Sequence, residues 1–504
     1  MAETSGSPPQ GVQFPLVNGR RSTSATGREV FAAAAAAIDT DLAARIGDAP
    51  RWHETYVDLL RDLVEADLVQ ATTDPDAVAR AGLAALDATF TYDREGVSVP
   101  VTEVWSVAPA FELATATVRG RGGPVTEVVV PLGDHELRGD SLKRQLGQWA
   151  DTGAIEPSVA DAVGQVVDRP EWLDLSDLTV LVLGAASEMG PLAHLARWGA
   201  TLVPVDLPRP RLWERILDAV RRGTGRALVP VRHPVDPDDL AALAVVAGAD
   251  VDTELPELAA WVATLGHLDV AGTYVYADGA DNVRVSLAAD LLTRRLAAAD
   301  DGLVLAGLLT PTDVYAAPIE AVTAARERLA SRGPAPRLVH RASRGRGFHP
   351  QYDATVVTAG GASYGLADGQ VLQQGPNYAL AKRLARWRFR VARADGTGVS
   401  ANVAPATNTR SVTSNRLLAA AYAGAHHFGV EVFEPPTSTA LMAALLVRDL
   451  RDPTAAGRPD VSLDHPLALF ADTAAHGGLW RMPWAPRSVL PLAAVAGLPA
   501  TLRR

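Results

Sequence analysis

From residue 176 onward the chain alternates two textures. The apolar runs "LTVLVLG", "ATLVPVD", "RALVPVR", "LDVAGTYVYA", "GLVLAGLL", "ATVVTAG" and "VSANVAP" are separated by stretches of mostly helical period. An unbroken apolar run suits a strand buried on both faces, and strands joined through helices run parallel. The alternation therefore predicts an α/β fold, a doubly wound parallel sheet of Rossmann-like kind with right-handed crossovers, over residues 171–450. With 504 residues, 48% of them hydrophobic, the chain can bury more than one core.

The flanking regions read differently. Residues 1–28, rich in Ser, Gly, Pro and Thr, are expected to form a disordered leader. Residues 29–170 are expected to form a separate N-terminal α+β domain. There "RWHETYVDLLRDLVEADLV" has the apolar spacing of an amphipathic helix, and strand-like segments follow between 97 and 132. Residues 451–504 read as an extension packing on the core. Its "SVLPLAAVAGLPA" is interrupted by two prolines and is short of the roughly 18 to 20 residues of a membrane span.

Composition excludes several function classes. There is no cysteine, hence no disulfide, thiolate nucleophile or cysteine-ligated metal. A net charge of −11 counts against nucleic-acid or anionic-membrane partners. "MAETSGSPPQGVQ" lacks the apolar core of a secretory signal, which fits a cytoplasmic protein. No metal is expected, because the adjacent His426 and His427 of "AHHFG" would point apart on a helix.

Two segments carry chemistry. In "LTVLVLGAASEMGPLAHLARWGATLVPVD" a strand enters Gly184, a loop leads to Gly190, and a second strand ends at Asp206, 22 residues after Gly184. Glycine lets backbone approach a pyrophosphate, helix-start N–H groups attract it, and a carboxylate at that interval suits ribose hydroxyls. Any strand–loop–helix unit shares part of this pattern, and Glu188 stands where a glycine is usual. Asp206 favours NAD over NADP, while Arg209 and Arg211 just beyond it offer a phosphate site. In "GPNYALAKRLARW", Tyr378 and Lys382 lie four apart and share a helix face. By composition alone such a pair arises in about 4% of shuffled chains. Its context strengthens it, for it lies between an apolar strand and "GVSANVAP". Lys382 is also one of only two lysines among 47 basic residues.

With these residues in place, about half the chain, roughly 176–450, resembles the short-chain dehydrogenase/reductase family. "GAASEMG" is similar to that family's glycine turn, which implies Gly184, Ser187, Met189 and Gly190 at a pyrophosphate. "GADVDTE" resembles its adenine contact, at Asp250 and Val251. "GHLDVAGTYVYADG" resembles its fourth strand, with Tyr276-Ala277-Asp278-Gly279 in place of Asn-Asn-Ala-Gly. "ATVVTAGGASYG" resembles the fifth strand, which delivers a catalytic serine; Ser363, 15 residues before Tyr378, is the nearest hydroxyl. "GVSANVAPATNTRS" resembles the nicotinamide cradle, at Pro405, Thr407 and Thr409, with Ala406 replacing a glycine. Residues 301–350 then read as an insertion between the fourth and fifth strands. Asn282 and Ser286 are the polar side chains available where the family's fourth helix carries an asparagine.

The resemblance implies a carbonyl–alcohol oxidoreductase using NAD or NADP on a small-molecule substrate. Tyr378 would exchange the proton, Lys382 would hold the ribose and favour the phenolate, and Ser363 would polarise the oxygen. The N-terminal domain and the insertion would shape a substrate pocket or an oligomer interface. Two other readings stay open: a nucleotide-binding sensor or scaffold without catalysis, and a SAM-dependent methyltransferase, whose first motif is similar to the glycine segment.

Overall fold

The computed structural model describes residues 10–70 and 74–501. Strand β1 (Gly11–Gln13) pairs antiparallel with β2 (Thr91–Arg94), which pairs with β3 (Val97–Pro100). The main sheet comprises β4 (Ala114–Arg119), β5 (Thr179–Leu183), β6 (Thr201–Val205), β7 (Arg226–Val231), β8 (Val270–Thr273) and β9 (Val304–Leu309). It is completed, after an excursion through β10 (Val314–Pro318), β11 (Val356–Val357) and β12 (Ser363–Asp368), by β13 (Val399–Val403). The spatial order is β13-β9-β8-β5-β6-β7-β4. Six strands are parallel, and β4 closes the edge antiparallel to β7. This is the doubly wound order with one added edge strand, and it reverses direction between β5 and β8.

Alternate side chains of each strand feed opposite layers. Leu181 and Leu183 of β5 enter one core, Val180 and Val182 the other. Into the first core pack α1 (Trp52–Val69), α2 (Ala77–Thr89), α4 (Gly279–Ala297) and α5 (Gly375–Ala394), which carries Tyr378. Into the second pack α3 (Leu192–Arg197) and α6 (Pro435–Arg451).

Helix α5 is fixed by buried ion pairs. Arg383 and Arg386 clamp Asp313, Arg388 holds Asp290, and Arg390 reaches Asp67 and Asp76. The helix crosses α2 closely, since a Cβ on Gly82 would stand 2.5 Å from the Trp387 ring.

Three expectations are corrected. The leader lies partly outside the described residues, and its remainder is ordered: Val12 is fully buried and its N–H donates to Asp252 at 2.7 Å. The N-terminal region does not stand apart as a separate domain. It supplies β4 to the main sheet, and α1 and α2 share a core with α5. Finally, "GLVLAGLL", assigned to an insertion, is the central strand β9, between β8 and β13. "ATVVTAG" contributes only the short β11 of the three-stranded excursion. Both runs are short and apolar, so periodicity cannot rank them. Gly307 marks the difference, since a Cβ there would meet the Phe389 ring of α5 at 2.8 Å. The excursion therefore follows β9 and spans about 310–371.

Among the described residues no helix is long and apolar enough to cross a membrane. The "SVLPLAAVAGLPA" segment lies in helix Pro486–Thr501, which has Pro491 and Pro499 in its interior and lies against helix Arg416–Gly424. Each of Gly424 and Gly497 touches the other helix's backbone where a Cβ would intrude, at 2.0 and 1.9 Å.

Candidate active site

The end of β9 and the start of α5 meet at Tyr378. It shares a cavity wall with Thr310 and Thr312, in the turn that leaves β9. That turn is pinned on several sides. The two threonine Oγ atoms lie 2.8 Å apart, Gln374 Nε2 donates to Thr312 Oγ at 2.7 Å, and the Tyr315 hydroxyl donates to the Thr310 carbonyl at 2.6 Å. Burial pushes the Tyr378 phenol above its ordinary value; the threonine hydrogen bonds oppose this and Asp313 adds to it. The phenol is therefore neutral at pH 7.

Lys382, one turn along, places Nζ 5.5 Å from the Tyr378 ring centre. Burial lowers its pKa to about 8. Whereas Arg383, Arg386, Arg388 and Arg390 are each matched to a carboxylate, Lys382 has no ion-pair partner among the described residues. The other lysine, Lys143, forms an exposed bridge to Asp168. Tyr56 of α1, Gln370 and Val371 complete the wall around the phenol. The remaining cavity is about 10 Å³. Roughly one water fits such a space, far below the ~300–1,000 Å³ of a typical ligand pocket.

Ser363 is not in this constellation. It heads β12, exposed and paired with Val357, and does not line the cavity. Thr310 and Thr312 take the place expected of it, because β9 is the strand that ends beside the phenol. The letters "LAGLLTPTD" carried that signal, but it is readable only once β9 is known to be a core strand.

The glycine segment lies at the switch point, where β5 and β8 diverge. Gly184 has φ +78°, and a Cβ would stand 2.8 Å from the Tyr274 backbone beyond β8. Only glycine tolerates both demands. The loop beyond it bonds largely to itself. The Gly184 and Ala185 N–H groups donate to the Val205 carbonyl, Ser187 N–H to Gly184, and Gly190 N–H to Ser187. Asp206 accepts from Ala186 N–H at 2.7 Å with one oxygen and from Leu207 N–H at 2.8 Å with the other. Burial raises its pKa against these bonds. Asp206 thus holds the loop in shape.

A cleft of about 680 Å³ opens beside this loop, lined by residues 185–188, Gly190, His194, Arg215, Asn408, Arg410 and Glu434 among others. Burial pushes His194 down to about 4, so its imidazole is neutral. Of the expected cofactor residues, Ser187 and Gly190 line the cleft. Thr407 is buried against Ser438, Val251 is buried, and Asp250 is tied to the Asp252 and Glu254 region. Pro405 accepts from the Thr407 hydroxyl, and Thr409 Oγ lies 3.0 Å from Ser411 Oγ. His194, Arg215, Asn408, Arg410 and Glu434 are cleft residues that the sequence did not single out. Asn282 is buried and accepts from Ala277 N–H, steadying the loop after β8, while Ser286 is half-buried on α4.

The short helix Arg410–Thr413 contributes Arg410 and Thr413 to the cleft wall. The Glu188 carboxylate accepts from Arg410 N–H at 2.9 Å, and the Tyr276 hydroxyl donates to Asp278 at 2.9 Å.

No protein-family model matches the chain, and no curated protein matches its sequence. Among solved structures, a 3-oxoacyl-[acyl-carrier protein] reductase with bound NAD from Brucella melitensis is 14% identical. It covers 53% of this chain and 83% of its own, with a TM-score of 0.29. A thiolation-reductase di-domain from an archaeal non-ribosomal peptide synthetase is 13% identical, covers 50% of this chain and 59% of its own, and has a TM-score of 0.25. Likeness of that degree assigns neither a family nor an activity to the chain.

Proposed function

We propose that the chain is a nicotinamide-dinucleotide-dependent oxidoreductase of short-chain type, interconverting a carbonyl and an alcohol on a small molecule. The observation that carries this reading is the cluster at the carboxyl end of β9. There a neutral tyrosine lines one cavity with Thr310 and Thr312, its ring 5.5 Å from the ammonium of a lysine with no ion-pair partner among the described residues. A half-buried lysine without a carboxylate is costly, and such groups concentrate where chemistry needs them. Tyr378 would give a proton to a carbonyl oxygen or take one from an alcohol, and the threonine hydroxyls would steer that proton. The dinucleotide supplies the hydride. It fits in part. Gly184 gives the close approach and the cleft gives room, with Ser187, Met189 and Gly190 along the loop. NAD is favoured by Asp206; Arg209 and Arg211, both exposed, are the groups that would accept a 2′-phosphate.

A non-catalytic nucleotide-binding reading is favoured by one observation, the closure of the phenol's cavity to about 10 Å³. Titration with NADH and NADPH, read by fluorescence transfer from the protein's tryptophans, tests both. Binding followed by oxidation of the reduced dinucleotide with a carbonyl panel supports catalysis. Binding without turnover favours the sensor reading. Binding of S-adenosylmethionine instead of either dinucleotide would revive the methyltransferase reading.

A further inference from the structure

The loop after β5 has little left to offer a phosphate. The Gly184 and Ala185 N–H groups reach the Val205 carbonyl, that of Ser187 the Gly184 carbonyl, and that of Gly190 the Ser187 carbonyl. Asp206 takes the Ala186 N–H, and Pro191 has none. Helix α3 then runs for six residues, too few for its peptide dipoles to sum to much. Glu188 lines the cleft as well, and its carboxylate repels an anion. Two arginines line the same cleft, Arg215 from helix Pro210–Arg222 and Arg410. Both are exposed, and neither has an ion-pair partner among the described residues. Each is tied to the glycine loop by one hydrogen bond. Arg215 Nη2 donates to the Ala186 carbonyl at 3.2 Å, and Arg410 donates its backbone N–H to Glu188 at 2.9 Å. The two bonds fall on either side of Ser187 in the sequence.

We infer that the Arg215 and Arg410 guanidiniums clamp the diphosphate of a nucleotide in this cleft, in place of the loop N–H groups that usually hold it. This rests on the dinucleotide reading and names the groups that bind the ligand's charge. A guanidinium offers two parallel N–H donors to a pair of phosphate oxygens, and such charged bonds are stronger than neutral ones. Two of them answer the two phosphates and offset Glu188. Neither has to break an ion pair to reach the ligand; Arg215 gives up one hydrogen bond to a carbonyl. Gly184 still lets the backbone come close, so the loop shapes the site while the arginines supply its charge. The diphosphate is common to NAD and NADP, and the clamp is separate from the choice between them. Arg209 and Arg211, the groups offered for a 2′-phosphate, do not line the cleft.

The test uses the full chain and the variants Arg215→Gln, Arg410→Gln, their double and Arg215→Lys. Arg197→Gln serves as control, since it removes an exposed arginine outside the cleft wall. Calorimetry reads the affinities for ADP, NADH and inorganic pyrophosphate, and thermal unfolding confirms that each variant is folded. Each single glutamine variant is expected to bind all three about tenfold more weakly, and the double about a hundredfold. Arg215→Lys keeps the charge without the fork and should recover only part of the loss. Arg197→Gln should stay within about twofold of the parent. A parent that binds ADP, with both glutamine variants within about twofold of it, overturns the clamp and leaves the dinucleotide reading standing. Equal losses in Arg197→Gln overturn it too, because they report net charge alone. A parent that binds none of the three removes the clamp together with the dinucleotide reading. Losses as expected, in a parent that never oxidises NADH with a carbonyl panel, support the clamp and remove the oxidoreductase reading instead.

Discussion

The two ends of the site have kept opposite things. Around Tyr378 the reactive groups are assembled and oriented, yet the space is closed to about 10 Å³. Around the glycine loop there is a cleft of about 680 Å³, yet the loop's polar groups are spent on one another and on Asp206. Chemistry without room lies beside room whose loop has few free donors. On the proposed oxidoreductase reading, turnover therefore depends on access between the two ends more than on the inventory of either.

The strongest challenge to the reactive end is Tyr378→Phe. It removes the only exchangeable proton on that side chain and keeps its shape. Turnover is expected to fall by about 10²–10⁴-fold with dinucleotide affinity unchanged. Turnover within about threefold of the parent by steady-state assay would show that the phenol is a spectator.

Next is Lys382. Its pKa is about 8 folded against 10.5 as an ordinary lysine. Between those values the unfolded chain binds more protons than the folded one, so stability rises with pH across that window. Below about pH 8 the full cost of holding the charged amine is present. Lys382→Met should therefore stabilise the protein near pH 7, by up to about 3 kcal/mol, and abolish turnover. The gain should fade as pH climbs from 8 towards 10.5. Chemical denaturation at pH 7, 9 and 10.5 reads this, and a gain independent of pH would show that the lysine is not buried as described.

At the nucleotide end, Asp206→Asn leaves one of the two N–H donors at Ala186 and Leu207 without its acceptor. The expected loss is about 1–2 kcal/mol, measured by denaturation, with weaker dinucleotide binding. Stability lost without any change in binding would separate the loop from the cofactor site. The smallest effect is expected from Thr310→Val or Thr312→Val singly. Each removes one of two hydroxyls on the phenol, worth about 1 kcal/mol, or roughly fivefold in kcat. The double variant should lose less than the sum, since the bond between the two hydroxyls is already lost in either single variant.

Much of the fold was legible because burial on both faces writes itself into the strands as apolar runs. Six of the seven marked runs became parallel strands of the main sheet. The edge strand "ATATVR" was not assigned to the sheet, because its partner β7 lies about a hundred residues on and nothing local encodes such a pairing. At the site, Tyr378 and Lys382 were visible as a helical pair. The threonines were not, since the wrong run was taken as the strand before the helix. Glu188 was visible only as an oddity: its partner at Arg410 is a backbone group 222 residues away, and a backbone N–H leaves no mark in sequence.

The arginines of α5 bear on how the chain reaches this state. Arg390 is bound by Asp67 and Asp76, more than 300 residues earlier. Leaving that guanidinium buried and unpartnered would cost about 3–5 kcal/mol. The helix bearing Tyr378 therefore cannot settle into its native seat until residues more than 300 positions earlier have docked against it. Contacts so distant along the chain slow folding. A fragment cut to the parallel sheet alone would present that helix with an unanswered charge and an uncovered face, which makes it an aggregation hazard rather than a minimal folding unit.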